Sequence, residues 1–317
     1  MRTAVVVVNW NGGALLSRCL EAVGAQSLPP SQVVVVDNGS ADGSAETAAR
    51  HPGATVLRLG ANRGFAAAAN AGVRAAEGAE WVALLNPDAF PEPDWLQRLA
   101  EAARGAPART FFASRLLLAE SEGRLDGTGD MYHASGLAWR RDHGRPAKRP
   151  RAAGEVFAAC AAAALYPRAA FLDVGGFDES YFCYFEDVDL AFRLRLRGFR
   201  CWYVPDAVVR HVGGASAGRR SDFAVYHGHR NLVWTFVKDM PGPLLAAYLP
   251  LHVAVNAASL AWFGLRGQGR AIARAKWDAL RGVPRAWRAR REVQRTRSVD
   301  ARELRRAFAG LLAYGRP

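Results

Sequence analysis

Four short apolar runs, each closed by polar residues and separated from the next by helical spacing, constrain this chain more than any other feature. They are Ala4-Val5-Val6-Val7-Val8, Gln32-Val33-Val34-Val35-Val36, Thr55-Val56-Leu57-Arg58-Leu59 and Trp81-Val82-Ala83-Leu84-Leu85. All are too short for helices, and most are apolar on both faces, as strands of a parallel sheet covered by helices are. Leu15–Val23, Ala41–Arg50 and Ala66–Ala76 lie between them and read as helices. The alternation predicts an α/β fold, a doubly wound and mostly parallel sheet with flanking helices. In such a sheet the strands' C-terminal ends meet at one crevice.

The residues that close the runs are Asn9-Trp10-Asn11, Asp37-Asn38-Gly39-Ser40, Asn62-Arg63-Gly64-Phe65 and Asn86-Pro87-Asp88. Any one of them alone is an ordinary turn or helix cap. Four at successive strand ends converge on a single site. No Gly-x-Gly-x-x-Gly follows the first strand, and Gly-x-x-x-x-Gly-Lys is absent throughout. A dinucleotide-dependent oxidoreductase and a P-loop enzyme are thereby disfavoured.

The second half changes character. Asp94–Arg104, Ala170–Val174 and Asp187–Arg197 read as helices, and residues 111–165 are mixed, with glycine-rich turns and a basic stretch at 140–151. Cys201–Val204 reads as a strand ending at Pro205. Gly175-Gly176-Phe177-Asp178-Glu179 precedes Tyr184-Phe185-Glu186-Asp187-Val188-Asp189-Leu190, and His211 follows Val208-Val209-Arg210. Glu186 and Asp187 open a helix, whose N-terminal dipole tolerates their charge. Arg193 stands four residues after Asp189, the spacing of a helical ion pair. His227-Gly228-His229 beside Arg230-Asn231 offers a diphosphate contact, but ordering of the domain's last helix is the preferred role for Arg230 and Asn231.

In order and spacing these motifs resemble those of the family 2 inverting glycosyltransferases of GT-A fold, in particular their rhamnosyltransferase-like branch, over roughly residues 3–240. The resemblance implies that Asp37 contacts the nucleobase, that Asn9 lines the same pocket, and that Asn62, Arg63 and Gly64 form the next nucleotide-binding turn. Asn86-Pro87-Asp88 matches the Asp-x-Asp motif with Asn in first place, leaving Asp88 as its carboxylate ligand. Asp187, paired with Glu186, matches the catalytic base, and His211 matches a histidine completing the metal site. An inverting transfer needs one carboxylate beside the acceptor hydroxyl. A cation held by Asp88 and His211 would offset charge on the departing diphosphate; the donor set suits Mn²⁺ or Mg²⁺, the histidine favouring Mn²⁺. His133 and Trp139 are candidates for acceptor contact.

The implied reaction moves a sugar, with rhamnose from dTDP-rhamnose the leading donor, to a polyprenyl-linked or glycan acceptor in bacterial surface-polysaccharide synthesis. A hexosyltransferase using a UDP- or GDP-sugar shares these motifs. A nucleotidyltransferase would carry a basic glycine-rich loop after the first strand, where Asn9-Trp10-Asn11-Gly12-Gly13 has no Arg or Lys.

Charge divides the 317 residues. From Arg266 onward, 15 Lys and Arg face four Asp and Glu, so most of the net charge of +13 lies in this tail. Such a tail suits an anionic surface, lipid or nucleic acid, but a nucleic-acid-binding protein leaves the acidic motifs unexplained. Leu244–Leu265 is the most apolar stretch, yet His252, Asn256 and Ser259 form a polar stripe along it. A helix lying at the membrane interface or packed on the main domain is therefore expected over a span. The expected organisation is a catalytic domain at 1–240 (nucleotide-sugar half about 1–110, acceptor half 111–240) and a membrane-associating helical region at 241–317. Four scattered cysteines and an N-terminus unlike a signal peptide place the protein peripherally on the cytoplasmic face of the cell membrane.

Overall fold

The computed structural model describes residues 1–121, 123–148, 151–213 and 221–310. Strands β1 (Thr3–Asn9), β2 (Gln32–Asp37), β3 (Ala54–Arg58) and β4 (Trp81–Leu85) run parallel in the order β3-β2-β1-β4. Helices α1 (Gly13–Gly24), α2 (Ser44–Ala49) and α3 (Phe65–Ala75) connect them. Every residue of β1 is buried, because it lies between β2 and β4 with helices over both faces. Helix α3 presses hard on the sheet: a Cβ at Gly72 would stand 2.3 Å from Val6 Cγ1. Only glycine permits that approach.

Beyond β4 the sheet is mixed. Chain order jumps there to β11 (Ala163–Pro167), antiparallel to β4, then β6 (Thr110–Leu118), antiparallel to β11, then β12 (Arg200–His211), parallel to β6. β10 (Gly154–Val156) forms that edge, β5 (Ala89–Pro91) pairs with β12, and β7 (Leu125–Gly127) pairs with β6. β8 (Asp130–Tyr132) and β9 (Ala138–Arg140) form a separate hairpin. The fold class is as expected, with parallel pairing unbroken only across β3-β2-β1-β4.

One sequence expectation needs correction. The strand at 201–204 does not stop at Pro205. It continues to His211 through a bulge, in which Val204 opposes Ser114 but Val208 opposes Arg115. Proline has no N–H for the ladder, so residues 205–207 leave the register and pairing resumes at Val208.

The described part of 241–317, expected as a membrane-associating region, also packs on the body. Helices α4 (Trp95–Gly105), α5 (Arg168–Asp173), α6 (Glu186–Leu196) and α7 (Asp222–Asp239) complete the body, and α8 (Gly242–Leu265), α9 (Gly269–Arg295) and α10 (Ala301–Arg306) follow. Among the described residues of this segment, the exposed large apolar side chains lie on α8 and on one side of α9. Arg290 donates to the Val237 and Met240 carbonyls, Ser298 N–H to Leu196 O, and Ala309 N–H to Tyr132 O. Phe308 packs on the rings of Tyr132, Phe157 and Phe192. The last described turns therefore pack on the catalytic body, where Phe308 joins the cover over Tyr132, Phe157 and Phe192.

Candidate functional site

The ends of β1, β2 and β4 border a cleft of about 630 Å³ whose far wall is built by β8–β9, the loop before α6, the end of β12 and the start of α7. Asn38, Asn62, Gly64, Asn86, Asp88, Trp139, Glu186, Asp187 and His211 line it.

Asp88 and His211 meet as the resemblance implies, with Asp88 Oδ1 3.3 Å from His211 Nε2. The opposite ring nitrogen, Nδ1, lies 2.8 Å from Asp126 Oδ2. Arg140 and His143 also bind Asp126, which is wholly buried. A carboxylate behind a histidine fixes ring orientation and aims the other nitrogen outward, the usual support for a metal-ligating imidazole. Asp88 and His211 thus offer one oxygen and one nitrogen on the cleft wall, a donor set that fits a divalent cation. Burial works against charge on both, yet their mutual hydrogen bond, with Asp126 on the far side of His211, holds Asp88 below and His211 above their ordinary values.

In the same cleft, Asp187 Oδ2 accepts from Ala161 N–H at 3.3 Å and Oδ1 from Val188 N–H at 2.8 Å. Burial raises its carboxyl above the usual range, while those amides and Arg140 pull it down. Glu186 is different: burial, then the neighbouring Asp187, push it well above the usual range, and its Oε2 has no partner. Burial thus favours the neutral form of Glu186, and Asp187, held by two amides, is the better proton acceptor of the two. Burial and then Asp187 also push Asp130 up to about 8. Asp130, Cys160 and Asp187 bring ligand atoms within 4.8 Å of one another, but Arg140 donates to Cys160 Sγ at 3.1 Å and so supplies the positive charge there itself.

The loop carrying these acids is strained. Phe182, Tyr184 and Phe185 have φ of 68°, 65° and 71°, a region that costs non-glycine residues energy. Asn231 Nδ2 reaches the carbonyls of Tyr181, Cys183 and Tyr184 at 3.0, 2.9 and 2.7 Å, and Arg230 donates to Tyr181 O. Gly64, at φ +85°, lies so close that a Cβ there would stand 2.6 Å from Phe182 O.

The remaining expected site residues divide. Asn9 and Asp37 are buried behind the lining, where Asn9 Nδ2 donates to Asp37 Oδ1, Ser40 Oγ and Ser44 Oγ. Arg63 donates its backbone N–H to Asn38 Oδ1. His133 turns inward onto Ser135 Oγ, 2.8 Å away, and does not line the cleft, whereas Trp139 does. Arg193 pairs with Asp189 at 2.6 Å inside the protein. Asp126, Asp130, Arg140 and His143 escaped the sequence reading. Two acids flanking the glycines of Asp126-Gly127-Thr128-Gly129-Asp130 were the available signal.

Residues 4–175 match the family described as Glycosyl transferase family 2. The chain belongs to glycosyl transferase family 2. It is 33% identical over 254 residues to the N-acetylglucosaminyl-diphospho-decaprenol L-rhamnosyltransferase of Mycobacterium tuberculosis, covering 70% of this chain and 80% of that one. Among solved structures, this glycosyltransferase resembles a mannosyltransferase from Pyrobaculum calidifontis in complex with GDP-Man and Mn²⁺, with a TM-score of 0.56 at 21% identity over 92% of this chain and 86% of that one. It also resembles GalNAc-T7 with UDP, GalNAc and Mn²⁺, with a TM-score of 0.60 at 17% identity, where 76% of this chain covers 48% of the other. This chain spans about half of that last protein.

Proposed function

We propose that this family 2 transferase is an inverting, metal-dependent enzyme that moves a deoxyhexose, rhamnose from dTDP-rhamnose, onto a polyprenyl-diphosphate-linked sugar in surface-glycan synthesis. One observation carries the reading: an amide-held carboxylate, Asp187, shares a cleft with the Asp88–His211 pair. In this reading Asp187 takes the acceptor hydroxyl proton as that oxygen bonds to the anomeric carbon, and the bond from that carbon to the β-phosphate oxygen breaks. Asp88 and His211 would hold a divalent cation, Mn²⁺ by preference, which would supply positive charge for the departing diphosphate. Asn38, Asn62 and Gly64 form the nucleotide side, backed by Asn9 and Asp37, and Trp139 borders the acceptor side. The relative from Mycobacterium tuberculosis supports the choice of sugar and of a lipid-linked acceptor.

The test is a transfer assay offering dTDP-rhamnose, UDP-hexoses and GDP-hexoses with a prenyl-diphosphate N-acetylglucosamine acceptor, with Mn²⁺, Mg²⁺ or chelator. Transfer from dTDP-rhamnose with inversion at the anomeric carbon, abolished by chelator, is expected. Retention of configuration, undiminished turnover in chelator, or transfer only from a hexose donor would each remove a named part of the proposal.

A further inference from the structure

Nine of the thirteen large hydrophobic side chains left exposed among the described residues lie on α8 and α9. On α8, Val253 is 58%, Trp262 55% and Leu265 89% exposed, and on α9, Trp277 is 63% and Leu280 66% exposed. Concentration on one helical pair marks an interaction surface rather than scattered surface residues. Helix α9 adds nine Lys and Arg against two acids.

These features are arranged on the molecule. Helix α8 touches the body along a single stripe. His252 stacks on Phe236 at 3.8 Å and its Nδ1 reaches Ser135 O at 2.7 Å, while Asn256 Oδ1 accepts from Lys276 Nζ at 2.5 Å. On α9, Ile272, Ala275, Ala279, Ala286 and Arg290 are buried. At about 100° per residue, Leu280 and Trp287 fall beside Lys276, the residue that reaches α8. Arg270, Arg281, Arg288 and Arg291 follow on the outward side and are exposed. Apolar surface on α8 thus continues into a tryptophan-bearing flank of α9 bordered by arginine, with Arg266 stacked 3.9 Å over Trp262 at the corner.

We propose that α8 and this flank of α9 form a seat for an anionic lipid bilayer, with α8 lying in the interfacial plane and the cleft rim held at headgroup level. The proposal rests on the reading that the acceptor is lipid-linked. Length and composition alone would let Gly242–Leu265 cross a membrane. Its fastening opposes that: His252 and Asn256, near the helix midpoint, are tied to the catalytic body. The midpoint cannot reach a bilayer centre without carrying the β8–β9 hairpin and basic α9 along. Lying flat satisfies both faces, with apolar residues in the acyl boundary, arginines on phosphates and tryptophans between. The seat is also joined to the cleft. Gln268 and Asp278 bind Asp222 and Tyr226 of α7 at 2.9 and 2.8 Å. Phe223 and Gly228 of that same stretch line the cleft. A prenyl chain buried in the bilayer would then present its diphosphate-linked sugar at the rim.

The experiment uses the full chain and two variants in exposed positions, W262E/L265E and R281E/R288E. Co-sedimentation with phosphatidylcholine vesicles, with and without phosphatidylserine, is measured at low salt. Wild type should bind the anionic vesicles and be released by alkaline carbonate. R281E/R288E should weaken binding at least about thirtyfold and W262E/L265E about tenfold or more, with nucleotide-sugar affinity unchanged by calorimetry. Undiminished sedimentation of both variants overturns the seat, and resistance to carbonate overturns the in-plane placement. Displacement by duplex DNA at matched phosphate concentration, with no preference for anionic lipid, would assign the surface to nucleic acid instead. Transfer to a water-soluble acceptor separates the two readings. A wild type that binds vesicles but transfers nothing to any acceptor refutes the catalytic proposal and leaves the seat standing.

Discussion

At the scale of single residues, the two neighbouring acids of α6 differ because their surroundings differ. Asp187→Asn should lower turnover by about 10²–10⁴ with little change in donor affinity, whereas Glu186→Gln, which keeps a neutral side chain, should stay within about tenfold of wild type. A steady-state comparison of kcat, with calorimetry for the donor, checks both. Asp126→Asn leaves both cleft ligands in place but removes the carboxylate behind His211; Mn²⁺ affinity, read by electron paramagnetic resonance, should fall about 10–100-fold. Asp130 titrates at about 8 in the folded protein against about 3.9 in an unfolded chain. The folded state therefore holds a proton across that window which the unfolded state has released, and its contribution to stability declines as pH rises through the window. Asp130→Asn should thus gain on wild type by a few kcal/mol between about pH 5 and about pH 8, measured by urea unfolding at each pH. Asp88, Asp187 and His211 entered the sequence reading through the family motifs they match, Asp88 at a strand end and Asp187 at the opening of a helix. Asp126, Asp130 and Arg140 did not, since their strands are three residues long and too short for alternation to register.

At the scale of elements, the loop from Tyr181 to Glu186 keeps its shape only through what grips it. Three left-handed residues cost roughly 1–3 kcal/mol each, and Asn231 is the main grip, binding three carbonyls from a fully buried position. Asn231→Ala should cost at least about 2 kcal/mol, because the abandoned carbonyls remain buried. It should also reduce kcat, as Asp187 follows directly on the released segment. Chemical denaturation and turnover of the same preparation measure the two effects. An ordering role for Asn231 in the last helix was read from its place in the chain, but its targets lie some fifty residues earlier, and no local pattern encodes a contact of that separation. β12 shows the same limit. Proline correctly marked a break in pairing, but whether a strand ends or bulges there depends on the partner, β6, which continues.

At the scale of the molecule, the catalytic and C-terminal parts are less separable than charge and hydropathy implied. Both measures change near residue 241, yet neither reports that α9 covers α7 or that Phe308 seals an aromatic cluster. Truncation after Met240 should therefore leave a chain without cooperative unfolding and without fixed near-ultraviolet circular dichroism. Truncation after Gly310 should retain both, together with donor binding. The parallel half was foreseeable because its strands and helices alternate along the chain. The mixed half was not, because β6, β11 and β12 meet only after long excursions.

The seal made by Phe308 also orders events during synthesis. Chains emerge from the ribosome at roughly 5–20 residues per second and fold in units as they do so. Here the unit holding Asp187 cannot close over Tyr132, Phe157 and Phe192 until residue 308 is free, after α8 and α9 have already emerged. If those two helices seat on a bilayer as proposed, they are available to it before the enzyme is complete, so that address precedes activity.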